Sequence, residues 1–139
     1  MTENKLLNEL KNLIEVNLDP SMFPYQKGNS IRIGKMVIRD SKKGFLIYDC
    51  QENKQVAITF CKTAAVALAK SLAKGNNLTS KVIELDNTIQ KNYNDAMFFS
   101  HSLRVSKDEI RKEVIQTRLE IARTRTEQAR SALDYIIFS

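Results

Sequence analysis

The clearest periodicity of the chain lies near its C-terminal end, where residues 115–136 read IQTRLEIARTRTEQARSALDYI. Apolar or small side chains recur there at alternating steps of four and three residues. We call these positions the seam: Ile115, Leu119, Ala122, Thr126, Ala129, Leu133 and Ile136. Such heptad spacing keeps one face of a helix against a neighbouring helix. The sequence therefore predicts a long helix that packs along another helix.

A second long helix is predicted just upstream, beginning near Leu78. Between the two helices, residues 106–109 match a capping box, in which the Ser106 hydroxyl accepts from the Glu109 N–H and the Glu109 carboxylate reaches back. The chain is therefore predicted to fold back near residues 104–106, which makes residues 76–139 a helical hairpin. The upstream helix repeats the spacing at Val82, Leu85, Ile89, Tyr93, Ala96, Ser100 and Leu103.

The seam has two interpretations. Small and polar side chains at its centre favour close approach of the neighbouring helix within one chain, so the seam would be intramolecular core. Alternatively, it is the interface of an oligomeric coiled coil. Val114, Ile121 and Tyr135 lie beside the seam and form a second apolar edge for another subunit. Both interpretations remain open from the sequence.

The apolar period changes to two after Ser30, which predicts three strands at residues 31–39, 45–50 and 56–60. Turns are predicted at residues 41–44 and 51–54 because both are polar and the first contains glycine. Gly34, isolated inside the first strand, predicts a β-bulge that would bring Ile31 and Ile33 onto one buried face.

The two turns also predict the register of the sheet. Ile38 should lie beside Ile47, Ile47 beside Ile58, and Phe45 beside Phe60, all on the buried face. The opposite face would then carry basic side chains around Tyr48.

Helices flank the predicted sheet on both sides in sequence. Residues 62–74 form a short alanine-rich helix with a stripe at Ala65, Leu68, Ala69 and Leu72, and Gly75 is placed to end it. An N-terminal helix capped by Thr2 is expected to end before Asp19-Pro20, and residues 21–29 read as a connector.

The element order predicts an α+β fold, and the length of 139 residues predicts a single domain. Its parts would be a helix and connector (1–29), a basic β-β-β-α unit (30–75) and the helical hairpin (76–139). The sequence contains no run of 18 apolar residues and its N-terminus lacks the apolar core of a signal peptide. We therefore expect no membrane association and a cytoplasmic location.

The net charge of +6 is concentrated in the middle of the chain. Residues 1–29 carry three basic and four acidic side chains, residues 30–75 nine and three, and residues 76–139 ten and nine. The middle segment thus holds the whole excess, which points to a polyanionic partner.

A basic sheet face with an aromatic ring suits a nucleic acid, because cations neutralise phosphates and the ring stacks on bases. The alternative interpretation is a soluble surface that happens to be basic. The residues predicted to contact DNA or RNA are Arg32, Lys35, Arg39, Lys42, Lys43, Tyr48 and Lys62.

Catalysis and metal binding find little support in the sequence. The single histidine, His101, lies between two serines, but the favoured interpretation is a surface residue near a helix end. No Cys or His pair has metal-ligand spacing, and no glycine-rich phosphate loop is present. Cys50 and Cys61 fall at opposite ends of a predicted hairpin, about 16 Å apart, too far for a disulfide. We expect a protein that is not an enzyme, with no cofactor, no metal and two free thiols.

Residues 30–75 resemble the small DNA-binding domain of phage-type tyrosine integrases, both in element order and in the sequence FCKTAA at residues 60–65. No integrase catalytic domain follows, so the resemblance implies DNA binding without recombination. With the first helix added, the order also resembles double-stranded-RNA-binding domains, although the lysine cluster of their last helix is missing. The whole chain resembles small proteins of tailed marine phages, which would place it in the host cytoplasm or the virion.

Two functions are therefore expected as alternatives. The first is a non-enzymatic assembly or adaptor protein that acts through the helical hairpin, as a homo-oligomer or with another partner. The second is a nucleic-acid-binding module that uses the basic face of the sheet.

Overall fold

The computed structural model describes residues 3–14, 25–27 and 30–139. Within these ranges the chain forms four helices and five strands, so the predicted α+β class is confirmed. The helices are α1 (Glu3–Ile14), α2 (Lys62–Ala73), α3 (Thr79–Val105) and α4 (Glu109–Phe138). The strands are β1 (Tyr25–Lys27), β2 (Ser30–Ile33), β3 (Met36–Ser41), β4 (Gly44–Asp49) and β5 (Lys54–Thr59). The predicted Thr2 cap, the predicted helix end before Asp19-Pro20, and residues 21–24 and 28–29 of the predicted connector lie outside the described residues. Residues 25–27 of that connector form strand β1 instead.

The strands form one antiparallel sheet in which neighbours in sequence are neighbours in space, with the three-residue β1 at one edge. The prediction of three strands is wrong, because the predicted first strand at residues 31–39 is divided into two strands, β2 and β3. Gly34 does not make a bulge: it adopts φ +57° in a tight turn that pairs Ile33 with Met36. Two-residue hairpin turns favour glycine at their first position because that position requires a positive φ, which glycine adopts without strain.

The predicted register is confirmed on one side of β4 and wrong on the other. Ile38 pairs with Ile47, and the β3–β4 turn falls at residues 42–43 as expected. Ile47 pairs with Ala57 instead of Ile58, and Phe45 with Thr59 instead of Phe60. The β4–β5 turn comprises residues 50–53. A bulge lies between the Tyr48–Gln55 and Ile47–Ala57 pairs, and beyond it β5 is shifted by one residue from the expected register. A shift of one residue exchanges the two faces, so Ile58 points away from the core and is 38% exposed.

Helix α2 lies at the centre of the molecule, between the inner face of the sheet and the α3–α4 pair. The predicted apolar stripe is too narrow, because every residue from Thr63 to Ala69 is buried. Alanine at four of these positions lets the sheet and the helices approach from different sides. The predicted end at Gly75 is confirmed: its φ is +82°, its N–H donates to Leu72 O (3.0 Å), and the Asn76 N–H donates to Ser71 O (2.9 Å).

Helices α3 and α4 form the predicted hairpin, but its turn is capped differently. Asp108, and not Ser106, caps α4: its Oδ1 accepts from the Ile110 N–H at 3.0 Å. Ser106 instead ends α3, where its N–H donates to Ser102 O at 3.0 Å. The aspartate is closer to the helix start and offers a charged acceptor to the positive end of the helix dipole, so the capping-box prediction is wrong.

The seam of α4 is buried within the chain, from Ile115 to Leu133. At its C-terminal end, Ile137 is fully buried whereas Ile136 is only partly buried. A straight helix drifts from a strict heptad repeat, and α2 packs on that side of α4, where Lys70 donates to the Ile137 carbonyl. A partner chain could use the seam only if the hairpin opened.

Helix α1 covers the half of the α3–α4 pair that α2 does not reach. Leu6 and Leu10 are buried against Ala96 and Leu119. The Glu9 carboxylate lies 2.8 Å from Arg123 Nε. The hairpin therefore does not project alone: its two halves pack on α2 and on α1.

We expect Leu119→Ala to lower the free energy of unfolding by about 2–5 kcal/mol, because Leu119 is 1% exposed and its truncation leaves a cavity in the α1–α3–α4 core. Urea denaturation measures this. Lys91→Ala, at an exposed position on α3, is the control and should cost less than about 0.5 kcal/mol. Equal effects of the two substitutions would contradict the packing described above.

Candidate functional site

The outer face of the sheet is the first candidate surface. Cross-strand pairing places Arg32, Val37 and Tyr48 in one row and Arg39 with Leu46 in the next. Both arginines are exposed, whereas the described helices pack on the inner face. The structure thus brings together three of the seven residues predicted to contact nucleic acid: Arg32, Arg39 and Tyr48.

The other four predicted contact residues lie away from this face. Lys35 is in the β2–β3 turn, with its Nζ 3.7 Å from Asp49 Oδ2. Lys42 and Lys43 line a cavity of about 460 Å³ between the hairpin tip and α3. Lys62 begins α2 and is partly buried. The predicted basic surface is therefore divided between the outer face and the turns. The sequence does not indicate how the turns bend relative to the strands, so this division was not predicted.

Tyr48 and Asp49 order the turn beside this face. The Tyr48 hydroxyl donates to Asn53 Oδ1. The N–H groups of Glu52 (3.0 Å) and Gln51 (2.9 Å) donate to Asp49 Oδ1, and these bonds, with Lys35 nearby, lower the pKa of Asp49 below its ordinary value. The ring of Tyr48 is thereby held on the outer face.

A buried carboxylate on α3 was missed by the sequence prediction. Asp86 is 3% exposed, and it accepts hydrogen bonds from the Phe60 N–H (Oδ2, 2.8 Å) and the Cys61 N–H (Oδ1, 3.0 Å). It therefore caps the junction at which β5 becomes α2. A signal was present, because Asp86 lies four residues after Val82 and three before Ile89, spacings that place it on the same side of α3 as these two buried residues.

The environment of Asp86 and Cys61 is unsuited to nucleophilic chemistry. Burial raises the pKa of the Asp86 carboxyl, against the two N–H groups that stabilise its charge. Burial, and then the carboxyl of Asp86, also raise the pKa of the Cys61 thiol far above its ordinary value. A thiol with a raised pKa stays protonated and is a poor nucleophile. Both cysteines are free, Cys50 exposed and Cys61 buried.

The hairpin side opposite α1 and α2 carries a groove between α3 and α4. Asn92, Asp95 and Phe99 line it from α3, and Arg118 and Arg125 line it from α4. The guanidinium of Arg118 lies 5.7 Å from the centre of the Phe99 ring, within cation–π range. This contact holds the Arg118 side chain against the groove.

The outer side of α4 is the second candidate surface, because it exposes large apolar side chains in its first half and again near its C-terminal end. Ile110 is 74% exposed, Val114 49%, Ile121 44% and Tyr135 77%. Seam residues face the opposite way and are buried. The sequence had indicated this edge through Val114, Ile121 and Tyr135.

Other chemistry finds little on the described part of the chain. His101 is exposed on α3. Among residues 3–14, 25–27 and 30–139, no group of three His, Cys, Asp or Glu side chains could hold a metal ion. None of the described helices combines the length and the apolar character needed to cross a membrane.

Comparison of this chain with protein-family models, with curated proteins and with solved structures found no match. The function is therefore inferred from the surfaces of the molecule itself.

We expect the stability of the wild type relative to Asp86→Asn to decrease as pH rises from about 4 to about 8. Burial raises the native pKa of Asp86 above the ordinary 3.8. Asp86 therefore contributes its full stabilisation below pH 3.8, and this stabilisation is lost as pH rises through the native pKa. Urea denaturation of both proteins across this range is the measurement. A difference that grows with pH would show that the two N–H groups outweigh burial.

Proposed function

We propose that this chain is a non-enzymatic assembly or adaptor protein that binds another protein chain through the outer side of its α3–α4 pair. One observation carries the proposal: of the ten exposed large hydrophobic side chains in the described part of the chain, three lie on α3 and five on α4. A concentration of exposed apolar side chains is typical of interaction sites, because their exposure to water is unfavourable.

The seam supports this assignment indirectly. Because the seam is already buried inside the chain, the exposed apolar side chains are additional to those that the fold requires. Their concentration on two long helices provides an extended, rigid surface, whereas a loop would have to be ordered on binding.

The test uses a photo-crosslinking amino acid at position 121 in the full chain, expressed in the cells from which the sequence comes. We expect discrete crosslinked products containing this chain and one partner chain, identified by mass spectrometry. The matched control places the same amino acid at Glu52, which is exposed in the β4–β5 turn. Absence of a product at position 121, or the same products at position 52, would overturn the proposal.

The second candidate function is binding of a nucleic acid through the outer face of the sheet. The observation in its favour is that the exposed Arg32 lies in the same cross-strand row as Tyr48, and the exposed Arg39 in the next row, on a face that the described helices leave uncovered. Arginines bind phosphates, and a fixed aromatic ring can stack on a base.

For this candidate we expect affinity for duplex DNA to fall with salt, at about −0.9 in log–log slope for each neutralised phosphate. Arg32→Glu/Arg39→Glu should then reduce the magnitude of the slope by about 1.8, the value for two phosphates. Fluorescence anisotropy at several salt concentrations measures it, with Lys91→Glu as a control. An unchanged slope in the double variant would exclude the sheet face, and a wild type that does not bind at low salt would exclude the function.

A further inference from the structure

The outer side of α4 has the repeat of a second coiled-coil interface. Its side chains recur at alternating steps of four and three residues, as those of the seam do, but on the opposite side of the helix. We call this surface the outer strip: Ile110, Val114, Thr117, Ile121, Thr124, Gln128, Ser131 and Tyr135. From Ile110 to Tyr135 it extends over about 37 Å of helix.

Two of the four polar members of the outer strip, Thr117 and Thr124, can be buried at little cost. Thr117 Oγ1 donates to Glu113 O (3.0 Å) and Thr124 Oγ1 donates to Glu120 O (3.0 Å). Burying a hydroxyl is unfavourable when it loses its hydrogen bond to water without replacement. Here the hydroxyl donors of Thr117 and Thr124 already have partners within the helix, so the strip behaves as a largely apolar surface over residues 110–124.

Opposite charges border the two edges of the outer strip. Arg111, Arg118 and Arg125 recur every seven residues on the edge beside the α3 groove. Glu113, Glu120 and Glu127 recur every seven residues on the other edge, where Glu127 lies 3.1 Å from Arg123. A partner that fits this surface must present an acidic column to the arginines and a basic column to the glutamates.

We propose that the partner is a second copy of this chain, whose α4 packs on the outer strip in parallel and in register. The inference rests on the proposed assembly function and names its partner. A two-fold axis along α4 brings the arginine edge of each copy to the glutamate edge of the other. By the geometry of parallel coiled coils, Glu113 then faces the partner's Arg118, and Glu120 faces the partner's Arg125.

The antiparallel arrangement is excluded by the same charges. It would place arginine opposite arginine and glutamate opposite glutamate along both edges, which is unfavourable. Val114 and Ile121 occupy the positions where β-branched side chains favour two-stranded coiled coils, so the expected product is a dimer.

The first part of the test is a charge exchange in the full chain, with dimerisation measured by sedimentation equilibrium over a range of concentrations. Glu113→Arg alone and Arg118→Glu alone should each weaken the dimer about tenfold or more, because two attractive pairs become repulsive. The double variant Glu113→Arg/Arg118→Glu restores both pairs and should return to within about threefold of the wild type. Arg39→Glu, the same change of charge on the sheet, is the control and should have no effect.

The second part tests the orientation with cysteines introduced in a Cys50→Ser background, because Cys50 is the exposed native thiol. In a parallel dimer, Val114→Cys and Tyr135→Cys should each form a disulfide with its own counterpart. In an antiparallel dimer, neither would do so alone, and only a mixture of the two would crosslink. Lys91→Cys, on α3, should not crosslink.

A chain that stays monomeric at all concentrations, a double variant that stays as weak as the single ones, or crosslinking only in the mixture would each overturn the proposal. Failure of the broader function is distinguishable. If the purified chain is monomeric but position 121 crosslinks to a different protein in cells, the assembly function stands and self-association is wrong. If position 121 crosslinks to no chain, both are wrong.

Discussion

The fold depends on one buried carboxylate, that of Asp86, which joins three parts of the molecule. It lies on α3 and accepts the Phe60 and Cys61 N–H groups where β5 becomes α2. The N–H groups at the start of a helix have no partners within it, and here the buried location excludes water as a substitute. A single side chain therefore fixes the sheet, the central helix and the hairpin relative to one another.

Around this contact, the small side chains of α2 set the distances between layers. Because Thr63 to Ala69 are all buried, the sheet and the α3–α4 pair can both pack closely on the same short helix. The hairpin thus buries one face in the core. Its length, about 45 Å for the 30 residues of α4, exceeds what α2 can cover, and α1 packs on much of the remainder.

This arrangement leaves two surfaces on different sides of the molecule. The outer face of the sheet carries Arg32 and Arg39, and the outer strip of α4 carries apolar side chains between columns of opposite charge. The two differ in chemistry: the first suits a polyanion, whereas the second suits a helix with the same pattern of charge. Since they do not overlap, binding at one does not exclude binding at the other.

The sequence by itself determined the helical hairpin, the α+β class, the β3–β4 turn and the end of α2 at Gly75, because periodicity and turn chemistry are local properties. Only the tertiary structure decided the β4–β5 register, since a bulge changes it by one residue at little local cost. The same holds for Asp86, whose role requires residues 25 and 26 positions away. It also holds for the division of the basic residues, which depends on where each turn directs its lysines in space.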